Sequence, residues 1–123
     1  MARTVLVVDD SAVTRSLLAE VCASAGAQSV ESCASGFEAM RALPRLGEVA
    51  LVITDVNMPD ITGLELVRML REQERYKAIP IFVVSTDAAS ADFERALALG
   101  ANRYFTKPFD VAALTTAVKA ALA

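Results

Sequence analysis

Apolar residues along this chain follow two rhythms. Short runs in which nearly every position is apolar alternate with longer segments in which apolar residues return every third or fourth position. Residues 4–8 (TVLVV), 49–54 (VALVIT) and 81–85 (IFVVS) are such runs, rich in β-branched side chains. A strand that is apolar on both faces must be covered on both faces, as in a parallel sheet with helices above and below. Residues 29–33 (SVESC) are more polar and suit an edge strand, and residues 102–106 (NRYFT) supply a fifth candidate.

Helical patterns fill the gaps. Over residues 12–25 the set Val13, Leu17, Leu18, Val21 and Cys22 recurs at helical spacing, and Gly26 stands where a C-terminal glycine would end the segment. Ser35 with Glu38, and Thr62 with Glu65, each match a capping box at a helix start. Ala96, Leu97 and Leu99 precede Gly100, which closes a fourth helix. Asp110 is placed to cap a fifth, in which Leu114, Val118 and Leu122 share a face. Five strands alternating with five helices and joined by right-handed crossovers make a doubly wound α/β sandwich. No linker, repeat or low-complexity tract divides it, so residues 1–123 are expected to form one domain.

Composition narrows the chemistry. With 54% hydrophobic residues the chain can fill a core, and a net charge of −3 gives no basic face for nucleic acid. No apolar run is long enough to span a bilayer, and the start lacks the layout of a signal peptide. Cys22 and Cys33 are too few and too far apart for a metal or disulfide framework, which predicts free thiols in a reducing, cytoplasmic compartment. The chain contains no histidine. That excludes Ser-His-Asp and Cys-His machinery and imidazole ligands for zinc. Any phosphohistidine chemistry would need a partner to carry it.

In doubly wound sheets ligands bind beyond the carboxyl ends of the strands. Asp9 and Asp10 follow the first strand, Asp55 the third, Ser85 and Thr86 the fourth, and Lys107 with Pro108 the fifth. A single aspartate at a strand end is ordinarily a turn or helix cap. Three carboxylates, a hydroxyl and an ammonium on one rim are a different matter. The carboxylates repel one another unless a cation sits among them, and oxygen donors without His or Cys suit a hard ion such as Mg²⁺. The same set is suited to phosphoryl transfer, with one carboxylate as nucleophile and the cation and Lys107 neutralising the transferring oxygens.

The segments VLVVDDS (5–11), DVNMPDITGLELV (55–67), VVST (83–86) and NRYFTKPF (102–109) resemble the receiver domain of bacterial response regulators, and single-domain chemotaxis receivers in particular. The resemblance runs the length of the chain. It implies a flavodoxin-like (βα)5 sandwich with strand order 2-1-3-4-5. It implies Asp55 as phosphoacceptor, Asp9 and Asp10 as the acidic pair holding Mg²⁺ (or Mn²⁺ in its place), and the Asn57 backbone carbonyl as a further ligand. Lys107 resembles the lysine that pairs with the phosphoryl group, before a Lys-Pro bond that is usually cis in the family. Ser85 resembles the switch hydroxyl and Tyr104 the aromatic rotamer switch. Pro59 and Gly63 resemble shapers of the loop after the acceptor.

The implied partners are a sensor histidine kinase or phosphotransfer protein as donor and a downstream protein as target, with no nucleic acid or membrane insertion and a monomer or weak dimer. The expected output is a change in the surface of the fourth helix, fifth strand and fifth helix. Thr86 departs from the family, which usually has a very small residue there, and its bulk bears on the rate of phosphotransfer. Asn57 and Asp87 flank the expected path of hydrolytic water, which predicts self-dephosphorylation within minutes. Three other functions fit less well. A haloacid-dehalogenase-type phosphohydrolase needs a second aspartate where Asn57 stands. A flavodoxin-like cofactor binder would place its phosphate against Asp9 and Asp10. A pseudo-receiver, binding without phosphorylation, typically loses the acceptor, an acidic residue or the lysine, and this chain keeps all of them.

Overall fold

In a computed structural model of the chain, residues 3–86 and 90–123 are described. The order is β1 (Thr4–Val8), α1 (Ala12–Ser24), β2 (Ser29–Cys33), α2 (Gly36–Leu46), β3 (Leu51–Asp55), α3 (Gly63–Arg71), β4 (Ile81–Ser85), α4 (Ser90–Leu99), β5 (Arg103–Thr106) and α5 (Val111–Leu122). The strands form one parallel sheet in the order β2-β1-β3-β4-β5. This is the doubly wound flavodoxin-like arrangement, and its strand order reverses between β1 and β3.

The side-chain period of two in a strand sorts the core into two layers. Val5, Val7, Leu51, Ile53, Phe82 and Val84 pack with Leu18, Val21 and Cys22 of α1 and Leu114, Val118 and Leu122 of α5. Leu6, Val8, Val52, Ile81 and Val83 point the other way and pack with Ala39 and Leu43 of α2, Leu66, Val67 and Leu70 of α3 and Ala96 of α4. Every residue of β1, β3 and β4 is buried, whereas β2 and β5, at the sheet edges, mix exposed and half-buried positions apart from Cys33. The near-continuous apolar runs therefore mark the three central strands.

Local chemistry ends the elements as the sequence predicts in most places. Thr62 and Glu65 complete a capping box, with the Thr62 hydroxyl accepting from the Glu65 N–H and the Glu65 carboxylate accepting from the Thr62 N–H. Ser35 forms only half of one. Its hydroxyl accepts from the Glu38 N–H, but the Glu38 carboxylate accepts from Ala34, one residue too early. Asp110 accepts from Ala112 and Ala113 at the start of α5. Gly26 and Gly100 take the positive φ angles, 107° and 114°, that end α1 and α4.

Boundaries and faces differ in detail. β3 begins at Leu51, not at residue 49, and runs on to Asp55, while β5 begins at Arg103. Val13 is 80% exposed and Leu17 38% exposed, so the buried stripe of α1 starts only at Leu18. Leu97 is likewise 40% exposed, whereas Ala96 carries the buried side of α4. Helical spacing identifies a face but not how far the neighbouring layer covers it. Cys22 and Cys33 are buried free thiols lying in opposite core layers. Among the described residues no helix is long and apolar enough to cross a membrane.

Candidate functional site

The carboxyl ends of β1 and β3 deliver their acidic residues to one place because the two strands are adjacent and in register, Val8 opposite Thr54. Asp9 is fully buried, and its N–H donates to the Cys33 carbonyl at 3.0 Å, continuing the sheet ladder by one residue. Its carboxylate accepts from the Ser11 N–H at 2.9 Å and from the Lys107 ammonium at 2.8 Å. Asp55, the last residue of β3, is 4% exposed, and Lys107 Nζ lies 3.5 Å from its Oδ1. Asp10 is exposed at the rim. Carboxylate oxygens of Asp9, Asp10 and Asp55 all lie within 4.8 Å of one another.

Lys107 reaches this cluster from β5 because the chain there is fixed. Its N–H donates to the Ser85 carbonyl at 2.6 Å, and the Lys107–Pro108 peptide bond is cis. Ser85 ends β4 fully buried, paired with Thr106. Gly63 closes the loop after Asp55. Its N–H donates to the Val56 carbonyl at 2.8 Å, and a Cβ at this position would overlap the Asp55 carbonyl oxygen. Only glycine permits that approach.

Three carboxylates face one ammonium, and the imbalance shows at Asp55. Burial pushes its carboxyl above the usual aspartate value, and Asp9 pushes it further, while Lys107 and the Asn57 backbone N–H pull it down. A small hard cation would relieve this excess of negative charge. The donor atoms are all oxygen, so the residues present fit Mg²⁺.

Asp9, Asp10, Asp55, Ser85 and Lys107 are thus brought together, as the sequence predicts, with Asn57 beside Asp55. Tyr104 lies elsewhere. It is half-buried in β5 opposite Val83, packs on the α2–α4 side of the core, and meets Phe93 of α4 edge-to-face with ring centroids 5.6 Å apart. Thr86 is exposed, and Asp87 lies outside the described residues. Met58 is buried in the core, and Met69, in α3, is half-buried. Two nearby contacts have no sequence signal. The Arg15 guanidinium donates to the Asp9 carbonyl at 2.8 Å, and the Asp60 carboxylate accepts from the Phe37 N–H at 2.9 Å.

The acidic, lysine-paired rim stands at the switch point of the doubly wound sheet, where folds of this class bind their ligands. The family model of the response regulator receiver domain matches residues 5–119, and the chain belongs to that family. Among its relatives is the chemotaxis protein CheY1 of Helicobacter pylori, 38% identical over 104 residues that cover 85% of this chain and 84% of that one. The solved structure of the chemotaxis response regulator CheY4 of Vibrio cholerae is similar at a TM-score of 0.86 and 32% identity, covering 98% of this chain and 99% of that one. A third is the receiver domain of the sensor histidine kinase PA1611 of Pseudomonas aeruginosa, with a magnesium ion coordinated in its active-site cleft. It is similar at a TM-score of 0.84 and 27% identity, covering 99% of this chain and 98% of that one. The chain is a CheY-like receiver domain of two-component signalling.

Proposed function

We propose that this receiver accepts a phosphoryl group on Asp55 from a phosphohistidine of a kinase or phosphotransfer partner, and that the aspartyl phosphate alters its α4-β5-α5 surface for a downstream protein. The observation that carries this is the buried Asp55 carboxylate beside Lys107, among Asp9 and Asp10. Burial strips solvent from this carboxylate and raises its pKa, while the Lys107 ammonium favours the charged form that acts as a nucleophile. Its oxygen attacks phosphorus, the P–O bond forms as the P–N bond breaks, and the electron pair leaves with the partner's imidazole. The acceptance and loss of this group is the only chemistry assigned to the chain.

Mg²⁺, or Mn²⁺ in its place, would be held by Asp9, Asp10, Asp55 and the Asn57 carbonyl, and when bound it supplies positive charge to the transferring oxygens. Lys107, bonded to Asp9 and 3.5 Å from Asp55, has only a short distance to shift to pair with a phosphoryl oxygen. The Ser85 hydroxyl, at the end of the neighbouring strand, moves toward that oxygen. Tyr104 then turns into the space behind it, changing its contact with Phe93 and so the face of α4.

The test is intact-mass spectrometry after incubation with acetyl phosphate and Mg²⁺. The parent gains one phosphoryl mass and Asp55→Asn gains none. Equal modification of the two would overturn the assignment.

A further inference from the structure

The loop joining β3 to α3 carries the main chain that faces Asp55, and an element outside that loop holds it. Residues 57–62 run between Val56 and Gly63, whose backbones are bonded to each other at 2.8 Å, so the loop is pinched at its base. Its outer half is gripped separately. The Asp60 carboxylate accepts from the Phe37 N–H at 2.9 Å through Oδ2, and from its neighbour Ile61 at 2.7 Å through Oδ1. Phe37 lies in the first turn of α2, where Ser35 takes only the Glu38 N–H, so Asp60 supplies an acceptor that the local cap does not. A carboxylate there is further favoured by the helix dipole. The N–H groups of Ile61, Phe37 and Gly36 together hold the Asp60 carboxyl below the ordinary aspartate value.

An apolar contact joins the same two segments. A Cβ on Gly36 would come within 2.8 Å of the Ile61 Cβ, so the start of α2 lies directly against the loop. Between Asp60 and Asn57 stand Pro59, with its fixed φ, and Met58, buried in the core. Few soft torsions separate the grip from Asn57, and a displacement at Asp60 is transmitted to it.

We propose that Asp60 is a positioning residue of the phosphoacceptor site: by tying the 57–62 loop to the start of α2, it holds the Asn57 main chain in place beside Asp55. The inference rests on the function proposed above, because it concerns the same cation site. Loss of the tie lets the outer loop swing and loosens the Asn57 carbonyl as a ligand.

The experiment titrates Mg²⁺ into the parent, Asp60→Ala, Asp60→Asn and Asp110→Ala proteins by calorimetry, with urea unfolding and amide hydrogen exchange on each. Asp60→Ala is expected to bind Mg²⁺ roughly tenfold more weakly, as when a residue orienting a metal ligand is lost. Its Phe37 and Ile61 amides exchange faster. Asp60→Asn keeps a short acceptor and restores most of the affinity. Asp110→Ala, which removes a comparable cap from α5, loses stability but binds Mg²⁺ like the parent. Parental affinity in Asp60→Ala with accelerated Phe37 exchange would overturn the inference while leaving the proposed function intact. A parent that binds no Mg²⁺ would overturn both.

Discussion

At the scale of single residues, the site depends on what can be placed against what. Gly63 is the tightest case, since any side chain would meet the Asp55 carbonyl oxygen. Gly63→Ala is expected to cost about 3 kcal/mol, the upper end for forcing atoms into a packed region. Urea unfolding measures it, and a loss under about 0.5 kcal/mol would show that the loop simply moves aside. The cysteines carry a second prediction. Burial pushes the Cys22 thiol up to about 12 and the Cys33 thiol to about 11. Their thiolates are therefore scarce at neutral pH, and the thiols are shielded as well. The folded protein should resist a thiol reagent such as Ellman's at pH 8, and both cysteines should react once it is denatured. Rapid labelling of native protein would contradict the packing. The rim residues were legible because each stands at the end of a recognisable strand. Asp60 and the exposure of Val13 were not, since each depends on a segment distant in sequence, and the Arg15 contact, only six residues from Asp9, depends on how the chain turns between β1 and α1.

At the scale of elements, caps and tethers decide how firmly each helix is held. The Thr62–Glu65 box fixes the start of α3 and with it the loop after Asp55. The backbone and hydroxyl of Thr62 hold the Glu65 carboxyl below its ordinary value. A lowered folded-state value means stability that is present above the unfolded carboxylate range and lost as pH falls through the folded one. Thr62→Ala should cost about 1 kcal/mol at pH 7, with the deficit shrinking below pH ~4. Denaturation at pH 7 and pH 3 checks this, and a constant deficit would mean that the Thr62 hydroxyl does not act through the Glu65 carboxylate.

The far end of α3 is held by Arg71. Its guanidinium donates to the carbonyls of Gly100, Lys77 and Ile79 and to the Asn102 side chain, at 2.7–3.0 Å. That one side chain joins α3, the approach to β4 and the turn from α4 to β5. Arg71→Ala should cost about 2 kcal/mol, because four acceptors, two of them part-buried, lose a charged donor. Faster amide exchange in β4 and β5 should accompany it. The central strands were legible because burial on both faces leaves few polar positions in them, Thr4 at the start of β1 and Thr54, Asp55 and Ser85 at the ends of β3 and β4. β2, β5 and the first turns of α1 were less so, since at an edge or an uncovered end either residue class is tolerated. Pro44 stands inside α2, exposed on a helix whose other face is buried.

At the scale of the whole molecule, the site and Tyr104 lie on different parts of the sheet, and signalling requires that they communicate. Asp55, Ser85 and Lys107 sit at the carboxyl ends of β3, β4 and β5. Those ends are joined by the bonds from Val56 to Val84 and from Lys107 to Ser85. A beryllofluoride adduct, mimicking the phosphoryl group, should therefore shift NMR signals of Tyr104 and α4 along with those of the rim. Shifts confined to the rim would show that these strands do not carry the signal. The topology was legible from the regular alternation of elements, while the output partner is not written in the core pattern at all.

The proposed function depends on Asp55 being the residue that receives the phosphoryl group. An aspartyl phosphate is reduced by borohydride to homoserine, whereas phosphoserine and phosphothreonine are not. Phosphorylated protein treated with borohydride and digested for peptide mass spectrometry should show homoserine at position 55 and at no other aspartate. Homoserine at Asp9 or Asp10, or a phosphoryl group that survives the reduction, would contradict it.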